Sequence, residues 1–239
     1  MELLQMFPNL SADWLRWSVY QLVERYGVTY LTLAPGAVEI RYSMAQALPQ
    51  LLADALNLGQ LAHHSPREAR QAAVLFAAQY GPLGLPAPRS SPVRVITGGH
   101  TPQASPDVTS KDYAEPLDSY LGRLRLLYLH LAASQGEEPE GVAPGDREEL
   151  RQWERVPQAG GMRCRLTGGP SPQLVWEPES LWALLWLGYS LAVTDPAAPL
   201  RRCKHCGRYY HNPHQRSEFC TVRCRNHYNV KAFRQREQQ

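Results

Sequence analysis

Cys203-Lys204-His205-Cys206-Gly207 and, after 12 intervening residues, Cys220-Thr221-Val222-Arg223-Cys224 decide how this chain reads. Four of its five cysteines fall within these 22 residues. No basic, apolar, then small-residue leader opens the chain, so the expected compartment is the cytoplasm, where thiols stay reduced. Clustered thiols in that setting point to a metal rather than to disulfides, and a redox dithiol explains one C-x2-C but not two cysteine pairs. Zinc takes four ligands in a tetrahedron, about 2.3 Å from each thiolate sulfur. A C-x2-C turn carries two sulfurs to one ion, and Gly207 just after it accepts a backbone angle that side chains resist. If a last helix starts at Thr221, Cys220 stands at its lip and Cys224 one turn in, so both face the ion. The expectation is a treble-clef-like finger in which Cys203, Cys206, Cys220 and Cys224 hold one Zn2+ per chain. An all-cysteine set leaves no open position for a reacting water, so this zinc is structural rather than catalytic. His205, His211, His214 and His227 lie in or near the finger and read as surface or supporting groups, with His227 the best spare ligand.

Beyond the second pair the chain continues as a basic helix. Arg223, Arg225, Lys231, Arg234 and Arg236 alternate with Asn226 and Asn229, and no acid occurs from Phe219 to Arg236. Cations meet phosphates, and Arg and Asn forks meet base edges, so these seven residues are the candidate nucleic-acid contacts. Val230 and Phe233 are expected to pack against the finger's hairpin or the rest of the chain. Glu218, the only acid between Asp195 and Glu237, reads as a solvated turn residue.

The charge is segregated along the chain. Residues 201–239 hold ten Lys or Arg and two acids, whereas residues 1–200 hold 15 basic and 20 acidic residues. An acidic body with a basic tail points to a polyanionic partner for the tail.

At these residues the sequence resembles the CGNR-type zinc fingers of bacterial proteins, whose N-terminal part is often a helical ABATE-like domain. Cys203 and Cys206 match that family's first knuckle, Cys220 and Cys224 its second, and Asn226 the motif's Asn. The match departs at Arg225, where the family has Gly, and at His227, where it has Arg, giving a variant that reads Cys-Arg-Asn before a basic helix. The resemblance is sharp over about 40 residues; elsewhere it is an order of parts, with Tyr80-Gly81-Pro82-Leu83 also similar. It implies a transcription regulator that binds DNA through the finger.

Working outward, the 239 residues are enough for a real core. Leu15, Val19, Leu22 and Tyr26 share a helical face behind Ser11 as N-cap, which predicts a first helix ending at Gly27. Val28–Ala34 and Ala37–Ser43 flank Pro35-Gly36, a type II turn pair, and predict a β-hairpin. Met44 to Leu61 repeats at helical spacing, and Pro66 opens another helix that Gly81-Pro82 ends. Residues 84–116 read as a long surface loop with one strand-like run, Val93–Thr97. Leu117 to Ser134 is a helix, followed by an acidic loop and a short helix with Leu150 and Trp153. Met162–Thr167 and Gln173–Trp176 predict a second hairpin, with Cys164 a packed small residue. Pro178 opens the most apolar helix, whose uncharged run from Ser180 to Thr194 spans 15 residues. That is short of the ~20 needed to cross a bilayer, so no membrane role is expected and this helix belongs at the centre of the core.

The fold expected is mainly α with small β-hairpins: a helical ABATE-like domain over 1–198 that senses a small-molecule ligand or forms a homodimer, then the finger over 199–239. The function expected is a DNA-binding, bacterial transcription regulator. The alternative is a zinc-stabilised protein–protein interaction module that docks on an acidic partner or on the chain's own body. No enzyme is expected. Glu115, Asp118, Asp146, Glu148 and Glu149 form no spaced constellation with a histidine, and His63-His64 reads as capping or loop chemistry. Trp14, Trp17, Trp182 and Trp186 read as core, with a small-molecule pocket among them as the competing view.

Overall fold

The segment from Asp13 to Arg25, where helical spacing predicts a first helix, is β-structure in the computed structural model of the chain. The structure describes residue 10 and residues 13–84, 113–137, 139–153, 162–195, 199–212 and 217–237. Ser11, the Val93–Thr97 run and His214 lie outside the described residues. Strand β1 (Asp13–Trp17) and strand β2 (Tyr20–Arg25) lead into a two-residue turn at Tyr26-Gly27. Both turn residues have positive φ, 52° and 73°, the conformation whose twist suits a tight hairpin. Strand β3 (Val28–Leu33) returns against β2, with Arg25 opposite Val28, and strand β4 (Glu39–Ser43) returns against β1, with Trp17 opposite Glu39. Ser18 N–H donates to Val38 O at 2.9 Å and Ala34 N–H to Val19 O at 3.2 Å, so the four strands make one folded antiparallel ribbon.

The Pro35-Gly36 turn forms where expected. Ala37 N–H donates to Ala34 O at 3.2 Å across it, and Gly36 has a φ of +77°. The strands it joins do not pair with each other, however. β3 pairs with β2 and, on its other edge, with β5 (Ala114–Pro116), Leu31 standing opposite Glu115. Pro35-Gly36 therefore turns a corner in the ribbon rather than its tip.

Helix α1 (Met44–His64) and helix α3 (Leu117–Ser134) form the central layer. Gly59 makes their contact close: a Cβ there would stand 2.1 Å from the Leu124 carbonyl oxygen. Helix α2 (Pro66–Tyr80) starts on Pro66 and stops at Gly81, whose φ is +96° and whose N–H donates to Ala77 O at 2.7 Å. Glu115 is buried, and its Oε2 accepts the Leu83 N–H at 2.9 Å, tying the end of α2 to β5. Helix α4 (Pro144–Trp153) is held to α3 by Arg125 and Asp146 at 2.6 Å.

The second hairpin forms as expected from β6 (Met162–Leu166) and β7 (Leu174–Pro178). Two expectations fail beside it. Cys164 is exposed rather than packed, because β6 presents little of itself to the core. Pro178 ends β7 instead of opening a helix, and helix α5 (Leu181–Thr194) starts after Ser180, whose Oγ accepts the Ala183 N–H at 3.0 Å. Leu181, Leu184, Leu185 and Tyr189 of α5 join Leu51, Leu56, Tyr120, Leu124 and Leu127 in one buried cluster, as its all-round apolarity requires. Trp17 and Trp182 are buried in the same cluster, with Trp14 and Trp186 packed against it. Mostly helical with small antiparallel sheets, the chain is mixed α/β. Among the described residues no helix is long and apolar enough to cross a membrane.

Candidate metal centre and basic helix

Strands β8 (Leu200–Arg202) and β9 (Tyr209–His211) pair in the finger, and the turn between them carries Cys203 and Cys206. Cys203 N–H donates to Arg208 O and Gly207 N–H to Cys203 O, both at 2.9 Å. Gly207 sits at a φ of +72°, the angle for which a glycine was read there. Lys204 N–H donates to Glu218 O at 3.0 Å, which draws the second cysteine pair alongside the first. Helix α6 (Val222–Glu237) follows at once, and Thr221 caps it: its Oγ1 accepts the Cys224 N–H at 3.1 Å.

The result is a cluster of four sulfurs from Cys203, Cys206, Cys220 and Cys224, all within 4.8 Å of one another. Cys206 and Cys220 sulfurs are 3.6 Å apart, and those of Cys220 and Cys224 3.5 Å. Disulfide sulfurs would be about 2 Å apart. Ligands of a tetrahedron with ~2.3 Å bonds stand about 3.8 Å apart, so the cluster fits one metal ion. Among the described residues it is the only such group.

Burial of Cys203 opposes its ionisation, but hydrogen bonds from the backbone at Cys206, Cys220 and His205 outweigh it and bring the thiol down to about 6. Burial and the neighbouring cysteine thiols push Cys220 up to about 12, and burial also raises Cys206. Without a cation, the crowding thus favours the anion at Cys203 and the thiol at Cys206 and Cys220. A bound metal would draw all four into the thiolate form.

Of the finger's histidines, the described ones, His205, His211 and His227, stay out of this set. His205 and His227 stack on each other with ring centroids 5.6 Å apart, and burial lowers the pKa of His211. Glu218 is an exposed turn residue, paired with Lys204 Nζ at 2.5 Å.

Helix α6 departs from expectation. Every described side chain from Arg225 to Gln235 is exposed except Ala232, which is partly covered. Val230 and Phe233, expected to be packed, are 50% and 62% exposed, and Val222 is 64% exposed. Phe219 and Tyr228 pack on each other, with ring centroids 5.2 Å apart. Arg223, Arg225, Asn226, Asn229, Lys231 and Arg234 are all exposed on this helix, and the side chain of Arg236 lies outside what is described.

The finger is fastened to the body by groups that sequence reasoning passed over. Asn57 of α1 bonds the backbone of Tyr209 from both sides, and Arg202 pairs with Glu137. Tyr209 is buried in the main cluster beside Tyr128. Beside this joint, Asp54, Gln60, His64, Phe76, Gln79 and Arg208 line an open cleft of about 550 Å3 that no tryptophan borders. The acidic residues weighed for catalysis are mostly engaged: Glu115 by Leu83, Asp146 by Arg125, Glu149 by Arg123 and Glu148 by Arg151. Comparison with protein-family models, with curated proteins and with solved structures gave no match.

Proposed function

We propose that this chain is a DNA-binding protein whose treble-clef-like finger is ordered by one structural Zn2+, and that it acts as a bacterial transcription regulator. The observation that carries this reading is the pairing of a four-cysteine cluster with an exposed basic helix that begins at its second knuckle and holds no acid before its last residue, Glu237. Zinc is the ion of choice because an all-thiolate tetrahedral site selects it among common metals. With four sulfurs as ligands no position is left for water, so the ion shapes the chain and takes no part in a reaction. Residues 199–239 are then the DNA-binding part. Residues 1–198 take the ligand-sensing or dimerising role that the likeness to ABATE-containing CGNR proteins suggests.

The test is a gel-shift titration of the zinc-loaded chain on duplex DNA at several salt concentrations. With roughly five phosphates neutralised, log affinity falls against log salt with a slope of about −4 to −5. Salt-insensitive binding, or none, rejects the proposal.

A second reading is favoured by the joint at Asn57, Tyr209, Arg202 and Glu137. There the finger serves as a protein-docking module, its basic helix meeting an acidic protein. The same titration separates the two, because an acidic protein partner leaves duplex DNA unshifted.

A further inference from the structure

Helix α6 is sided, and its sides differ in chemistry. At about 100° per residue, Val222, Asn226, Asn229, Val230 and Phe233 fall in one stripe, and Glu237, the last residue of the helix, lies beyond Phe233 on the same side. Cys224, which faces the metal cluster, lies on the opposite side together with Lys231 and Gln235. Arg223 and Arg234 border the stripe on one flank, and Arg225 borders it on the other. All of the stripe is exposed, including its three apolar members.

Resting on the DNA-binding reading above, we infer that this stripe enters the major groove of duplex DNA and reads A·T base pairs. Asn226 and Asn229 would bond adenine, Val230 and Phe233 would touch thymine methyl groups, and the flanking arginines would hold the phosphates on either side.

The geometry supports that occupant. A helix with its side chains is about 10–12 Å across, and the major groove is about 12 Å wide, with a phosphate strand along each wall. A stripe of uncharged readers between two cationic borders matches that cross-section. An asparagine amide offers one donor and one acceptor, the pattern that adenine N7 and N6 presents, and apolar side chains suit the thymine methyl. A second copy of the helix suits the stripe poorly. Its arginines would face arginines across the seam, and two amides would be buried at its centre. A docked acidic protein would satisfy the arginines but gives no reason for two amides in the middle of the stripe.

The experiment uses the full zinc-loaded chain and a pool of duplexes with a randomised central segment. Bound duplexes are sequenced for the wild type and for Asn226→Ala, Asn229→Ala, Arg223→Ala/Arg234→Ala and Gln235→Ala. Metal content at one ion per chain confirms that each variant is folded, as expected for exposed positions. The wild type should enrich sites with fixed A·T pairs. Each asparagine variant should relax preference at one position by roughly 5- to 150-fold while keeping the salt slope. The double arginine variant should keep the preference and flatten the slope by about 2. Gln235→Ala, on the far side, should leave the enriched sequence unchanged. Salt-sensitive binding with no enriched sequence, or an enriched sequence unchanged in both asparagine variants, overturns the inference and leaves DNA binding standing. No salt-sensitive binding at all rejects the underlying reading as well. A dimer that forms without DNA and is broken by Phe233→Glu assigns the stripe to a second copy and overturns the inference too.

Discussion

Asn57 and Tyr209 hold each other through two hydrogen bonds: Asn57 Nδ2 donates to Tyr209 O at 2.9 Å, and Tyr209 N–H donates to Asn57 Oδ1 at 2.8 Å. A single side chain on α1 thus acts as a strand partner for one residue of β9. The joint supplies both polar needs of a backbone unit that would otherwise be covered without partners. It also sets how the finger sits on α1, since Tyr209 is buried against the main cluster.

Replacing Asn57 by Leu keeps the approximate volume and removes both bonds, leaving a covered N–H and a covered carbonyl unpaired. The expected loss is ~2–4 kcal/mol, read from the urea midpoint of the metal-loaded chain. Asn57→Asp keeps the acceptor and should lose less. Metal content should stay unchanged in both, because Asn57 takes no part in the sulfur cluster. Equal midpoints for wild type and Asn57→Leu would show that the joint adds nothing to stability.

Two glycines of similar local setting should respond in opposite directions. A Cβ on Gly59 would lie 2.1 Å from the Leu124 oxygen and 2.7 Å from its carbonyl carbon. Those are backbone atoms, so α1 and α3 must separate and loosen the packing around Leu56 and Leu127. Gly59→Ala should cost about 3 kcal/mol. A Cβ on Gly122, inside α3, would meet nothing within 4 Å. There alanine removes chain entropy from the unfolded state and should add ~0.5–1 kcal/mol. Thermal midpoints of the two variants would check both signs, and a stable Gly59→Ala would contradict the close approach.

The two glycines also mark how much the sequence disclosed. The sulfur cluster was legible because the spacing is local: C-x2-C, then a cysteine at a helix lip and another one turn in, need no knowledge of the rest of the chain. The helices from Met44, Pro66 and Leu117 were legible because proline, glycine and a long apolar period bound them. Asp13–Arg25 was not. Leu15, Val19 and Leu22 fit a helical face, and Gly27 suits a helix end as well as a tight turn. Only pairing with Val28–Leu33 decides between them, and pairing is a tertiary event. The partner of β3 on its far edge, Ala114–Pro116, lies some 80 residues away and has no local signal. Val230 and Phe233 were misplaced by a sound general rule, since apolar side chains on a helix usually face a core; here the helix has no described core beside it.

Metal removal should unfold the finger while sparing the body. Of the buried apolar cluster around α1, α3 and α5, only Tyr209 comes from the finger. Helix α6, 16 residues with nearly all of its described surface exposed, lacks the packed face from which helices in proteins draw most of their stability. Chelation should therefore lower the helical circular dichroism by roughly the share of one such helix, and leave the buried tryptophan fluorescence near its native value. Cys220→Ser should reproduce this state without chelator.

The pH dependence of metal uptake has a definite sign. Only thiolates bind the ion, and protons compete for them, so affinity must fall as pH falls. Without metal, Cys203 is held near 6 and is already anionic at pH 7.5. Cys206 lies above the ordinary thiol range and Cys220 is pushed up to about 12, so both are protonated there. Binding at pH 7.5 should release at least about two protons per ion, seen as a buffer-dependent heat in calorimetry. Apparent affinity should then drop by about two log units or more for each unit of pH between 8 and 6.5. A flat profile over that range would mean that sulfurs other than these, or no sulfurs at all, hold the metal.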